Sequence, residues 1–167
     1  MPPRGVVPVV PGEGQESVWA YPRPPDLRPS DRVVVVVLGG AEVCRTRRAL
    51  RLRETSHPPT WYLPAEDWLP GSLQPADGSS LCEWKGVASY LAVLGGAERA
   101  DRAAWTYDEP TPAYAALRGT VALYPAAVDG CFVDGERVRP QQGGFYGGWV
   151  TDDVVGPFKG GPGSRWW

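Results

Sequence analysis

Apolar residues along this chain come in short runs cut off by turn formers, and no stretch keeps the three-to-four spacing of a long amphipathic helix. The pattern therefore predicts strands. Val33–Leu38 is a β-branched run without charge that ends at Gly39-Gly40. Glycine's freedom at positive φ suits that pair to a tight hairpin turn into Ala41–Arg45. In Ala49–Glu54, Leu50 and Leu52 alternate with Arg51 and Arg53, so one face of a strand meets the core and the other meets water or a ligand. Ser17–Pro29 reads as an extended lead-in with Trp19 and Tyr21 on one side, kept off a central strand by its prolines. Val121–Tyr124 and Cys131–Val138 suggest a further hairpin, with Asp129-Gly130 and Asp134-Gly135 as candidate turns. The best place for a short helix is Pro112–Leu117.

The strongest long-range signal is a repeat. Val37-Leu38-Gly39-Gly40-Ala41-Glu42 recurs unchanged as Val93-Leu94-Gly95-Gly96-Ala97-Glu98. Each copy reads strand, turn, strand, which suggests two related sheets around a shared core. Two unrelated hairpins with the same turn chemistry would leave the same trace. Duplication would set Arg47–Arg51 opposite Ala103–Tyr107. The expected fold is mostly β, a compact two-sheet domain with an internal hairpin duplication and at most one or two short helices. Residues 1–16 are expected to form a flexible arm and residues 17–142 the single two-sheet domain. Residues 143–167 are rich in glycine and aromatics and are expected to be a tail packed across it.

Composition narrows the function more than the fold. With 17 basic against 19 acidic residues there is no global field to draw nucleic acid or an anionic membrane, so neither is expected as a partner. Cys44, Cys82 and Cys131 are dispersed and only one histidine joins them, which argues against a metal site. Met1–Gly14 is broken by prolines and lacks the apolar core of a signal peptide; with no long apolar span, a cytoplasmic protein of bacterial type is expected. Gly143–Gly148 lacks the lysine of a phosphate loop, no nucleophile elbow is present, and no cofactor is expected. The arginines of Arg45–Arg53 read as a solvated face.

Three segments hold the scarce polar types. His57, the only histidine, follows Glu54 by three residues and is the natural proton-transfer group; alternatively it bonds backbone at a proline turn. In Cys82-Glu83-Trp84-Lys85-Gly86, read as strand, Lys85 is an anion-binding cation or a surface lysine. Cys82 is a thiolate nucleophile or an inert core residue. Trp105 and Tyr107 share one strand face, as pocket wall or plain core.

Ala49–Pro59, Cys82–Tyr90 and Ala103–Tyr107 together resemble the domain of unknown function 427 family, across about Ser17 to Val138. The resemblance implies a compact two-sheet fold of tent-like form, with the E-x-x-H and C-x-W-K-G segments near one cleft. The family has carried a nucleotidyltransferase-like label. This chain lacks the Gly-Ser followed by paired D-x-D carboxylates that such metal-dependent chemistry needs. The expectation is a small-molecule pocket, an enzyme using Glu54 and His57 for proton transfer with Lys85 holding an anionic group and Cys82 beside it. Trp84, Tyr62, Tyr90, Trp105 and Tyr107 would line it. The alternative is a non-catalytic module whose aromatic cage holds a ligand or peptide.

Overall fold

The structure, a computed structural model, describes residues 1–167. Fifteen strands follow in chain order. They are β1 (Glu16–Ser17), β2 (Asp26–Ser30), β3 (Val34–Leu38), β4 (Ala41–Thr46) and β5 (Ala49–Arg53). Then come β6 (Thr60–Pro64), β7 (Leu73–Cys82), β8 (Gly86–Gly95), β9 (Glu98–Thr106) and β10 (Thr120–Leu123). The last are β11 (Gly130–Val133), β12 (Glu136–Arg137), β13 (Arg139–Pro140), β14 (Trp149–Val150) and β15 (Val154–Val155). A seven-stranded sheet in the order β2-β5-β6-β10-β9-β8-β7 faces a four-stranded sheet in the order β12-β11-β3-β4. The fold is mostly β, with four short 3-10 turns. The longest covers Pro112–Leu117, where a helix is expected. No helix is long and apolar enough to cross a membrane.

Strand alternation sets what lies on each side of the large sheet. β6 and β10 read as continuous apolar runs because both of their faces are buried. Trp61 and Leu63, with Val121 and Leu123, turn toward Val34, Val36 and Leu38 of the four-stranded sheet and make the main core. Tyr62 and Ala122 turn the other way and join Leu52, Trp105 and Tyr107 in a second cluster on the outer face. The second cluster carries the site described below.

The repeated hexapeptides are both hairpin turns, one in each large sheet, but they are not equivalent. The first turns at Gly39-Gly40, both at positive φ as in a type I′ turn, and pairs Leu38 with Ala41. The second turns one residue later, at Gly96-Ala97, and pairs Gly95 with Glu98. A one-residue slip reverses the faces of the flanking residues, so the two copies do not correspond position by position. The two turns touch each other. A Cβ on Gly39 would sit 2.1 Å from the Gly95 carbonyl oxygen, and one on Gly95 would sit 2.3 Å from that of Leu38. The glycines recur because two backbones cross there. The wider equivalence is lost too: after β4 the chain changes sheets at Arg47-Arg48, whereas β9 runs on to Thr106 within its own sheet.

Three further expectations are corrected. Val18–Ala20 is a 3-10 turn, so Ser17–Pro29 is not extended throughout; its last residues do form an edge strand, β2. β10 and β11 lie in different sheets and make no hairpin; Asp134-Gly135 is the turn between β11 and β12. Of the arginine run, Arg45, Arg47 and Arg48 are exposed as expected, whereas Arg51 and Arg53 are mostly covered and meet the carboxylates of Glu16 and Asp26. Of the N-terminal residues, Val9 donates to the Gly156 carbonyl and Glu16–Ser17 pair with Val154–Val155. Trp149 is fully buried and stacks on Trp61 with ring centres 5.8 Å apart.

Candidate functional site

A cavity of about 330 Å³ opens on the outer face of the seven-stranded sheet, in the size range of ligand pockets. Its floor comes from one face of four strands: Leu52, Tyr62, Tyr90 and Trp105. Glu54, His57, Cys82, Lys85 and Tyr107 complete the expected set on its walls. Trp84 is not among them. The Cys82–Gly86 segment is a hairpin turn rather than a strand, with Cys82 paired to Gly86, so Trp84 and Lys85 do not follow strand alternation. Trp84 packs at the margin of the second cluster, and its carbonyl accepts from the Thr111 hydroxyl. The Thr111 amide donates to the Lys85 carbonyl at 3.0 Å, which steadies the turn. Lys85 Nζ then stands 5.5 Å from the centre of the Tyr107 ring.

His57 is held by a turn pinned from three sides. Its amide donates to the Glu54 carbonyl, the Ser56 amide donates to Val18, and the Ser56 carbonyl accepts from the Lys159 amide. Ser56 is fully buried at φ 72, a left-handed conformation that costs a non-glycine residue about 1–3 kcal/mol unless its surroundings enforce it. His57 Nδ1 lies 3.0 Å from the Thr55 carbonyl oxygen, which only accepts. In the neutral ring Nδ1 therefore carries the proton and Nε2 keeps its lone pair. Glu54 Oε2 lies 3.7 Å from the same Nδ1 and 3.7 Å from Arg23.

Burial pushes the His57 pKa below its ordinary 6.5; Glu54 and the Thr55 carbonyl oppose this, while Lys159 and Arg23 add to it. The unfolded chain then binds a proton at higher pH than the folded one. Stability should be complete above pH 6.5 and fall as the pH drops from there toward the folded-state pKa. Asp26, held low chiefly by its hydrogen bond from Arg53, contributes its own acid sensitivity only below 3.8. Urea unfolding at pH 7.5 and 5.5 should thus show a loss that shrinks in His57→Asn; an unchanged loss would mean the ring is not the cause.

Gln141 and the glycine-rich tail supply a wall that no periodicity announced, the tail through Phe145, Tyr146, Gly147 and Lys159. The Tyr146 ring meets His57 edge-on, 5.4 Å between centres. Gly147 crosses Trp105 so closely that a Cβ would lie 2.3 Å from the indole. Gln141 is buried; it accepts from the Gly148 amide and donates to the Lys159 carbonyl, tying the two ends of the tail together. Tyr124, from the end of β10, stands against Trp105 at 4.7 Å. Lys159 Nζ donates to the Trp167 carbonyl oxygen at 2.8 Å.

The Tyr62 hydroxyl is completely buried at the cavity and has no hydrogen-bond partner. Burial raises its pKa, so it stays a neutral donor. An unpaired buried hydroxyl costs about 1–3 kcal/mol. Tyr62→Phe is accordingly expected to leave the free protein as stable or up to about 2 kcal/mol more stable, while weakening any ligand that accepts from the hydroxyl. Denaturant unfolding with and without ligand checks both signs; a destabilised free protein would refute it.

Cys82 alone among the three thiols faces the cavity. Cys44 and Cys131 sit buried on either side of Val36 in the small sheet. Burial pushes the Cys44 thiol up to about 12. Residues 26–134 match the family described as Domain of unknown function (DUF427), and the chain belongs to that family. No curated protein matches the chain.

Proposed function

We propose that this family member is an enzyme that takes a small anionic molecule into the cavity, holds its charge with Lys85 and moves a proton through His57. One observation carries the reading: the only histidine and the only two lysines of the sequence, Lys85 and Lys159, all line the same cavity. Elsewhere the chain uses arginine for its cations. A lysine is a compact, adjustable point charge, and a neutral imidazole oriented at Nδ1 is a ready base at Nε2. Glu54 does not hydrogen-bond the ring, but it stabilises the imidazolium as it forms. Three unpaired cysteines fit a reducing cytoplasm.

The seven aromatic rings of the lining favour a second reading, in which the cavity binds its ligand without turnover. Thermal-shift screening with small carboxylates, phosphates and nucleosides tests both, since a ligand of the folded state raises apparent stability. Anions should give the hits, and His57→Ala and Lys85→Ala should weaken them. Wild-type response in both variants would remove the site from this cavity. A hit recovered chemically unchanged after long incubation favours the binding module.

A further inference from the structure

Arg102 is a guanidinium that the fold positions at some cost and gives no carboxylate partner. It sits in β9 at φ 52, left-handed for a residue with a Cβ, inside the irregular stretch where the β8 pairing jumps from Leu91–Ala104 to Val93–Ala100. Such bulges re-aim side chains. A second irregularity lies opposite in β7, between Pro75 and Ser79. There Gly78, at φ 103, leaves room that a Cβ would deny: it would fall 3.0 Å from Arg102 Nη2. The guanidinium thus rests over Tyr90, 4.6 Å from the ring centre. Tyr90 is a cavity wall residue, and so is Tyr124, whose hydroxyl feels the Arg102 charge. Arg45, Arg48, Arg51 and Arg53 by contrast each meet a carboxylate.

Tyr90 is paired directly with Trp105, and Tyr107, which carries Lys85, lies two residues further along the same face. Diagonal neighbours of this kind are about 7–8 Å apart. Lys85 lines the cavity and stands over Tyr107, while Arg102, outside the lining, is exposed and stands over the lining residue Tyr90. We propose that Arg102 is a specificity-determining residue of this cavity, and that the ligand has a flat apolar body with a carboxylate at each end, one met by Lys85 and the other by Arg102. The proposal rests on the pocket reading above and names the substrate class for it.

Calorimetric titration with 4-methylphenylacetate and 1,4-phenylenediacetate compares one charge with two on nearly the same body. Wild type should bind the dianion about tenfold tighter, as a charge-assisted contact warrants. In Arg102→Gln and Arg102→Gly that ratio should fall to near one. Glycine relieves the left-handed backbone, so Arg102→Gly should also melt no lower than wild type, which an arginine kept for structure would not allow. A ratio that survives in both variants overturns the role of Arg102. Equal binding of the two probes by wild type overturns it too and leaves the pocket reading standing. Binding of neither probe overturns both.

Discussion

Gly95→Ala is expected to cost about 3 kcal/mol of folding stability or more, the upper end of what overpacking does. Gly95 is not at positive φ, so backbone conformation is not the reason. The new methyl carbon would lie 2.3 Å from the Leu38 carbonyl oxygen and 2.8 Å from Val43 Cγ1. Neither gives way easily: Leu38 ends β3, and Val43 is 1 % exposed in the main core. Gly40→Ala is the control. It sits at φ +75 with nothing within 4 Å, so it should lose only about 1–2 kcal/mol from left-handed strain. Urea midpoints of the two variants separate contact from conformation. If Gly95→Ala is no worse than Gly40→Ala, the two turns do not press on one another.

That contact also shows where reading the sequence reaches and where it stops. The repeat announced two hairpins correctly, because β-branched alternation and Gly-Gly are local signals. It could not announce the one-residue slip or the contact between the turns, because two identical hexapeptides carry no mark of which residue will turn or of what lies beside them. The same division runs through the site. Glu54, His57, Lys85 and the W-x-Y stripe stood out by residue type, and they line one cavity. Trp84 stood out for the same reason and does not, since Gly86 closes a hairpin where a continuous strand was expected. Tyr146, Gln141 and Lys159 lie in a stretch without periodicity. One clue to Lys159 was nonetheless present: a chain that chooses arginine almost everywhere spends only two lysines. Arg102 carried no local mark at all, because its placement depends on bulges in two neighbouring strands.

For whatever substrate the cavity turns over, His57→Gln is expected to lower kcat about 10²–10⁴-fold, the usual worth of a positioned general base. KM should move less than kcat, because glutamine keeps a polar side chain on the cavity wall for binding but cannot act as the base. Lys85→Gln should instead act mainly on KM, since an ammonium that holds substrate charge does so before and during the reaction. The pH profile fixes the assignment further. A base works unprotonated, and burial holds the His57 pKa below 6.5, so the rate should be flat through neutrality and fall only on the acid side of that value. Glu54 raises the His57 pKa, so Glu54→Gln should shift the acid limb to still lower pH. It should also lower kcat, because the imidazolium would form without its carboxylate neighbour. A merely structural Glu54 would change stability and leave the limb in place. An acid limb that stays put in Glu54→Gln, or turnover that survives His57→Gln, would take proton transfer away from this pair and leave the cavity to binding alone.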